Sequence, residues 1–198
     1  MDSRKTVVLD VGHGGIDPGK VGIGGVLEKD LNLAIALNVR EALKKNGFNV
    51  VMTRDADMGL YDDDSANKKV QDMQNRCKII EEMDPVCTVS IHQNSYKDSA
   101  VCGPQVFYFT HSKEAERLAA TLQKCLNDKL AIENPRVQKE NSTYYILKRS
   151  TSVTVIVECG FITNPVEAKL LADTDYQAKL ADAICAGIIQ YTSAGQLA

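Results

Sequence analysis

Apolar residues recur along this chain in two alternating patterns. Short runs rich in β-branched residues are typical of buried strands, and longer segments with apolar residues at every third or fourth position are typical of amphipathic helices. The short runs predict strands at residues 6–11, 48–53, 86–91, 105–109, 143–148 and 153–157. The longer segments predict helices at residues 28–46, 65–83, 112–130, 165–172 and 175–191.

Strands that alternate with helices and are apolar along their whole length are typical of a parallel sheet covered by helices on both faces. We therefore predict an α/β fold with a twisted, mostly parallel sheet of about six strands. No linker, internal repeat or low-complexity segment divides the chain, and its 198 residues fit one domain. We take residues 1–198 as this domain, with its core over about residues 6–191.

Composition and charge exclude several classes of protein. Hydrophobic residues make up 44% and charged residues 25% of the chain, as in ordinary globular proteins. The net charge of −3 provides no basic surface, so we expect no nucleic-acid partner. The apolar runs are far too short to cross a bilayer, so we expect no transmembrane segment. The six cysteines form no CxxC pair, and several lie in apolar segments, which favours packing thiols over disulfides.

Side chains suited to acid–base or metal chemistry follow the carboxyl ends of the predicted strands. His13 lies two residues past the first strand, His92 directly follows the third, and Glu158 directly follows the last. Glu28 begins the first predicted helix, after a glycine-rich loop that returns the chain to the same edge. Because ligands of open α/β sheets bind at this edge, we expect the four side chains to meet there.

Two histidines, one carboxylate and an open fourth position are the ligand set of a catalytic zinc site, and a further carboxylate can take a proton from activated water. Each residue also has a simpler interpretation. His92 alone fits a hydrogen-bonded histidine at a strand end, and Glu28 alone fits a helix N-terminal charge. Glu158 is harder to explain structurally, because a carboxylate beside buried residues is costly unless it is paired or functional. The third histidine, His111, fits a cap or surface position better than a ligand position.

Two other segments suggest weaker interpretations. The stretch DVGHGG has a glycine-rich character, but it lacks the spacing of a phosphate-binding loop. The acidic residues at 55–64 predict a mobile surface loop, since the spacing and glycine of a calcium-binding EF-hand are absent.

Six motifs occur in an order that resembles the zinc-dependent N-acetylmuramoyl-L-alanine amidases of the Amidase_3 family. They cover nearly the whole chain, from about residue 7 to residue 191, and read LDVGHGGIDPG, LEKDLNLAIA, TRD, SIHQN, GPQVFYF and VECGFITNPVEAKLL. The resemblance implies a twisted, mostly parallel sheet flanked by helices. It also implies hydrolysis of the amide between N-acetylmuramic acid and the L-alanine of the peptidoglycan stem peptide.

The resemblance further implies roles for single residues. One zinc ion per chain would be bound by His13, Glu28 and His92, and Glu158 would transfer the proton from the attacking water to the leaving nitrogen. Arg149 matches a Leu-x-Arg-like position and would bind a stem-peptide carboxylate, with a plain surface arginine as the alternative. Asn94 is expected to bind substrate, and it or Asp10 would tune the metal from outside its ligand shell.

The chain departs from the family pattern in two places. Gln93 replaces the usual alanine of the HxN motif, and Thr154 lies near a common proline. Neither residue is expected to touch a ligand, so both affect local loop geometry. Some family members block their site with an inserted helix, but residues 91–103 are too few for one, which predicts an open site.

The implied substrate lies outside the cytoplasmic membrane. We therefore expect a monomer that acts in the cell wall or in the forespore and spore-cortex space. Because the first residues lack the apolar region of a signal peptide, we also expect that a leader has been removed. A lone catalytic domain favours the sporulation-type amidases, for which an activator protein is an expected partner. The alternatives are another zinc peptidase, such as a carboxypeptidase or aminopeptidase, and a non-catalytic peptidoglycan-binding domain.

Overall fold

The computed structural model describes residues 6–194, and over them strands and helices alternate as predicted. The strands are β1 (Thr6–Val11), β2 (Asn49–Met52), β3 (Cys87–Asn94), β4 (Gln105–Phe109), β5 (Lys139–Asn141) and β6 (Thr154–Phe161). The helices are α1 (Glu28–Lys45), α2 (Lys68–Met83), α3 (Lys113–Lys129), α4 (Tyr145–Arg149), α5 (Pro165–Leu171) and α6 (Thr174–Ala194). The expectations about a leader concern residues 1–5, which lie outside the described residues.

The six strands form one sheet in the order β2-β1-β3-β6-β4-β5. Neighbouring strands are parallel except β4 and β6, which are antiparallel, so β4 and β5 run against the other four. This arrangement confirms the predicted single-domain α/β fold. The parallel strands β1, β3 and β6 are adjacent, so their carboxyl ends meet at one edge of the sheet.

Helices cover both faces of the sheet and divide the core in two. The larger apolar cluster joins one face to α1, α3 and α6, and Val7, Leu9 and Val11 point into it. The smaller cluster joins the other face to α2 and α4, and it contains Val8 and Ile156. Because side chains alternate along a strand, every second residue from Val8 in β1 and from Ile156 in β6 points to the face that α2 and α4 cover.

The predicted strand at residues 143–148 is wrong, because this segment contains helix α4. The side chain of Asn141 accepts hydrogen bonds from the backbone N–H groups of Thr143 and Tyr144, at 2.7 and 2.8 Å, and turns the chain before the helix. The sixth strand is instead β5, at residues for which the pattern predicted neither a strand nor a helix. Its residues are polar because it is an exposed edge strand that pairs only with β4 among the described residues.

No helix among the described residues is long and apolar enough to cross a membrane. The six cysteines are all free, and three of them, Cys87, Cys159 and Cys185, are buried, as expected of packing thiols. Cys102 differs from this expectation because it is exposed in the loop that follows β3.

Helices α3 and α6 approach each other closely at Gly187. A Cβ atom there would lie 2.7 Å from Leu122 Cδ2 and 3.0 Å from Leu122 Cα. We expect Gly187→Ala to lower the free energy of unfolding by about 1–3 kcal/mol through overpacking, although alanine is the better helix former by about 1 kcal/mol. Urea unfolding measures the change. In a Leu122→Ala background the same substitution should cost less, because the contact with Cδ2 is gone and that with Cα remains, and a stabilising effect in the otherwise unchanged protein would contradict the packing argument.

Candidate metal and catalytic site

Two histidines and a glutamate from three separate segments of the chain meet at the carboxyl edge of the sheet. The ligand atoms of His13, Glu28 and His92 all lie within 4.8 Å of one another. Glu28 Oε1 is 3.2 Å from His13 Nε2 and 3.0 Å from His92 Nδ1. The two imidazole rings are nearly perpendicular, with centroids 5.0 Å apart. The structure thus brings together the three residues that the sequence predicts as metal ligands.

The backbone around His13 is unusual in ways that bring the two histidines together. His13 has a φ of 62°, a left-handed conformation that a residue with a side chain rarely adopts and that costs on the order of 1–3 kcal/mol. A Cβ atom at the preceding Gly12 would lie 2.3 to 2.7 Å from atoms of the His92 imidazole. Glycine at this position therefore lets the ring of His92 pack directly against the backbone that leads to His13.

Glu28 is a buried carboxylate held in its ionised form. Its Oε2 accepts a hydrogen bond from the backbone N–H of Lys20 at 2.8 Å, and its Oε1 accepts one from the backbone N–H of Gln93 at 3.1 Å. Burial alone would raise the pKa of Glu28, but the hydrogen bonds and charges of His13 and His92 hold that pKa far below its usual range. The expectation that Gln93 touches no ligand is therefore wrong, because its backbone contacts Glu28.

Asp17 orients the other side of the His13 ring. Its Oδ2 is 2.8 Å from His13 Nδ1, and its Oδ1 accepts a hydrogen bond from Lys69 Nζ at 2.9 Å. Burial alone would raise the pKa of Asp17, but these two hydrogen bonds lower it to about 2. A carboxylate on the second ring nitrogen is the usual way in which proteins fix the orientation of a metal-binding histidine.

Glu158 lies beside this cluster on the adjacent strand. It is directly opposite His92 in the register of β3 and β6, and it is 9% exposed. Burial raises the pKa of its carboxyl group to about 7. Its Oε2 atom is buried and has no hydrogen-bond partner among the described residues. Because leaving a buried polar atom unpaired costs free energy, this oxygen fits a group that meets water or substrate during a reaction.

β3 and β6 both extend beyond their predicted ends, so His92 and Glu158 belong to the strands themselves. Both side chains lie on the sheet face that carries α2 and α4, where a cleft of about 360 Å³ opens. Besides the cluster and Glu158, the cleft is lined by Asp10, Met73, Gln93, Asn94, Ser95, Tyr144, Tyr145, Ile146 and Ile156.

The two predicted substrate contacts differ in their placement. Asn94 lines the cleft, and its side-chain oxygen accepts a hydrogen bond from the backbone N–H of Ser95 at 2.8 Å. Arg149 is exposed at the end of α4 and is not among the lining residues. Its guanidinium lies 5.9 Å from the centroid of the Tyr145 ring, which does line the cleft.

Asp10 is a buried carboxylate that lines the cleft but is not one of the predicted ligands. Its carboxylate accepts hydrogen bonds from Ser90 at 2.5 Å, Thr53 at 3.1 Å and Arg76 at 3.2 Å, so it joins β1 to β3 and α2. Burial alone would raise the pKa of Asp10, but the charge of Arg76 and the hydrogen bonds lower it.

The third histidine, His111, occupies a surface position, as the sequence predicts. It is exposed beside Phe109 and lies outside the cleft.

The loop between β3 and β4 contains no helix in the described chain, which leaves the cleft uncovered by an insertion. Two hydrogen bonds hold this loop in place: Asn164 donates to the Ser99 carbonyl at 2.9 Å, and Glu167 accepts from the Gly103 N–H at 2.9 Å.

The acidic stretch at 55–64 is a surface loop, as predicted. It is anchored, because Asp57 binds Lys29 at 2.7 Å.

Sequence reasoning did not single out several residues that shape the site. Asp17 and the two buried arginines Arg54 and Arg76 contact His13, and Tyr144 and Tyr145 form part of the cleft wall. Arg54 belongs to the TRD motif, which was the available signal. The sequence pattern places the two tyrosines in a strand, and this strand prediction does not bring them to the mouth of the cleft.

Comparison with known proteins gives one consistent result. The family model described as N-acetylmuramoyl-L-alanine amidase matches residues 7–190. The chain is similar to the germination-specific N-acetylmuramoyl-L-alanine amidase of Bacillus subtilis, with 36% identity over 96% of this chain and 80% of that protein.

Two solved structures extend this result. The CwlD amidase of Clostridioides difficile, solved in complex with the GerS lipoprotein, superposes with a TM-score of 0.93 and 38% identity over 96% of this chain and 99% of that one. The N-acetylmuramoyl-L-alanine amidase AmiC2 of Nostoc punctiforme superposes with a TM-score of 0.84 and 32% identity over 96% and 98%.

Proposed function

The chain belongs to the Amidase_3 family and is an N-acetylmuramoyl-L-alanine amidase; from this premise we propose that it is zinc-dependent and uses Glu158 as its catalytic base. The observation that carries this proposal is the convergence of His13, Glu28 and His92 within 4.8 Å, with Glu158 directly opposite His92 on the adjacent strand. Family membership favours the amide bond between N-acetylmuramic acid and L-alanine over the peptide bonds cut by other zinc peptidases.

The residues of the cluster fit a zinc ion in their chemistry. Two imidazoles and one carboxylate match the three protein ligands of catalytic zinc sites, which leave a further position for water or substrate. The ionised state of Glu28 and the hydrogen bond between Asp17 and His13 both favour metal binding, because ligands bind in their deprotonated forms and need a fixed orientation. When bound, zinc would polarise the scissile carbonyl and make water a stronger nucleophile near neutral pH.

The proton is moved by Glu158. Its carboxylate takes a proton from the attacking water and gives it to the nitrogen of L-alanine as the amide bond breaks. The free Oε2 atom fits this task, because no structural hydrogen bond competes with water for its lone pairs. Burial also disfavours the charged carboxylate, which makes it a stronger base than an exposed glutamate.

The cleft walls would bind the rest of the substrate. We assign Asn94 to a polar group of the muropeptide, since its side chain lies in the cleft beside the ligand cluster. Arg149 would pair with a stem-peptide carboxylate at the outer end of α4, next to the exposed ring of Tyr145. Tyr144 and Tyr145 provide flat apolar surface at the mouth of the cleft, suited to contact with a sugar or peptide.

The named relatives support a role in spore-cortex peptidoglycan. One is called germination-specific, and another was solved in complex with a lipoprotein. We propose that this chain likewise acts outside the cytoplasmic membrane on cortex muropeptides, as a single catalytic chain with one zinc ion and with an activator protein as its partner.

Metal removal tests the zinc dependence. Protein treated with a chelator and then freed of it should lose the release of L-alanine peptides from defined muropeptides, and about one equivalent of Zn²⁺ per chain should restore it. Mass spectrometry of the products identifies the bond that is cut, and elemental analysis gives the zinc content. Full activity in protein shown to be free of metal would contradict the proposal, as would products cut within the stem peptide.

A further inference from the structure

Two buried arginines contact the backbone of the first predicted zinc ligand. Arg54 Nε donates a hydrogen bond to the carbonyl oxygen of His13 at 2.7 Å, and Arg76 Nη2 donates another to the same oxygen, also at 2.7 Å. The two residues, which we call the arginine pair, are 3% and 2% exposed. Neither lines the cleft, so neither is in a position to touch substrate.

The arginine pair binds three successive carbonyl groups. Besides the His13 oxygen, Arg76 Nη1 binds the Val11 oxygen at 2.7 Å, and Arg54 Nη2 binds the Gly12 oxygen at 3.1 Å. In a regular strand successive carbonyls point in opposite directions, so they could not all face the same two guanidinium groups. The left-handed conformation of His13 redirects the chain at this point, and the hydrogen bonds hold it in that conformation.

The same two side chains reach the backbone near the other two ligands. Arg54 Nη2 donates a hydrogen bond at 2.7 Å to the carbonyl of Lys29, the residue that follows Glu28. Arg76 binds Asp10, which in turn accepts a hydrogen bond from Ser90, two residues before His92 on β3. The arginine pair is therefore connected to all three segments that carry the predicted ligands.

Burying two like charges side by side has a cost, and the surroundings offset it. Asp72 Oδ2 is 2.6 Å from Arg76 Nε, and Asp10 is the second carboxylate beside this arginine. Arg54 has no carboxylate in direct contact among the described residues and instead donates to five backbone carbonyls, including that of Ala56 at 3.0 Å. Only a planar, multidentate donor satisfies such a set of acceptors, so lysine would not replace it.

We propose that Arg54 and Arg76 are positioning residues that preorganise the zinc ligands by fixing the backbone of His13 and its neighbours. This role rests on the proposed function, because it assumes that the cluster binds zinc. The arginine pair acts through hydrogen bonds to carbonyl groups and never touches the metal or the substrate. Its contribution should therefore appear in the affinity for metal, even in the absence of substrate.

The test compares zinc affinity in the wild type, Arg54→Lys and Arg76→Lys. Lysine keeps the charge but has a single nitrogen, so most of the carbonyl hydrogen bonds are lost. We expect the dissociation constant for Zn²⁺, measured by competition with a chromophoric chelator, to rise by about 10–100-fold in each variant, as it does when groups that orient metal ligands are removed. The visible absorption of bound Co²⁺ should change as well, because the ligand geometry relaxes.

A control separates positioning from general stability. Leu126→Ala removes a core side chain of α3, on the opposite face of the sheet, and should lower the melting temperature without changing zinc affinity. If neither lysine variant folds, Asp72→Asn keeps Arg76 but removes one of its carboxylate partners, and it should weaken zinc binding by a smaller factor.

The outcomes distinguish this inference from the proposed function. Wild-type protein that binds no zinc would contradict the proposed function and the inference together. Wild-type protein that binds zinc tightly, with equal affinity and an unchanged cobalt spectrum in the folded arginine variants, would overturn the inference alone. Weaker binding in the arginine variants, with unchanged binding in Leu126→Ala, is the result that supports it.

Discussion

Glutamine in place of Glu158 is expected to slow hydrolysis of the muramoyl-alanine amide by about 10²–10⁴-fold, the usual contribution of a positioned acid–base group. Glutamine has nearly the same shape, so the packing of β6 should be kept. The amide cannot accept the proton from water, and it cannot return one to the leaving nitrogen. Zinc binding should be unchanged, because Glu158 lies beside the predicted ligand set and is not part of it.

The measurement is kcat on a defined muropeptide, together with the zinc content of each sample. Glu167→Gln is a matched control, because Glu167 is also a buried glutamate near the end of β6, at 8% exposed, and its Oε2 accepts a structural hydrogen bond from the Phe161 N–H. The control should lose stability and keep its kcat. Turnover within threefold of wild type in the Glu158 variant would remove this residue from the proton transfer.

The parts of the fold that were predictable are those in which local pattern and burial agree. The strands β1 and β4 have the predicted bounds, and the long helices differ from prediction by a few residues at their ends. In these elements the residues that favour a strand or a helix are the same ones that the core buries. The pattern along the chain therefore carries the tertiary information.

The errors occur where local preference and tertiary position disagree. The segment TYYILK is rich in aromatic and β-branched residues, which favours a strand. In the structure, however, Asn141 caps a turn before helix α4, and Ile146 and Leu147 are buried as part of that helix. Conversely, Lys139–Asn141 is polar and exposed, and it is a strand only because it extends the sheet beside β4. No local signal predicts a short edge strand of this kind.

The site could be predicted in its principal residues because topology alone brings them together. His13 follows β1, and His92 and Glu158 lie near the carboxyl ends of β3 and β6, so the rule about carboxyl ends is sufficient to place them. The supporting residues Arg54 and Arg76 were not predictable in this way. Their role depends on hydrogen bonds to backbone carbonyls more than 40 residues away, and a charged residue in the sequence is more often at the surface.

Replacement of Glu28 by glutamine is expected to weaken zinc binding, which the Glu158 variant should leave unchanged. Glu28 Oε1 lies between both histidines, and glutamine would keep the shape while removing the negative charge that the metal needs. Because a ligand is lost, zinc affinity should fall by more than the 10–100-fold that follows loss of an orienting group, and activity at micromolar zinc should fall with it. Glu41→Gln, on the exposed side of the same helix, is the matched control.

Activity measured across a series of zinc concentrations separates the two glutamate variants. The Glu28 variant should regain part of its turnover at millimolar Zn²⁺, since its defect is one of occupancy, whereas the Glu158 variant should gain nothing at any zinc concentration. This contrast follows from the geometry, in which one carboxylate lies between the two imidazoles and the other has a free oxygen beside them. If Glu28→Gln bound one zinc per chain with wild-type affinity, Glu28 would not be a ligand and the assignment of the metal site would fail.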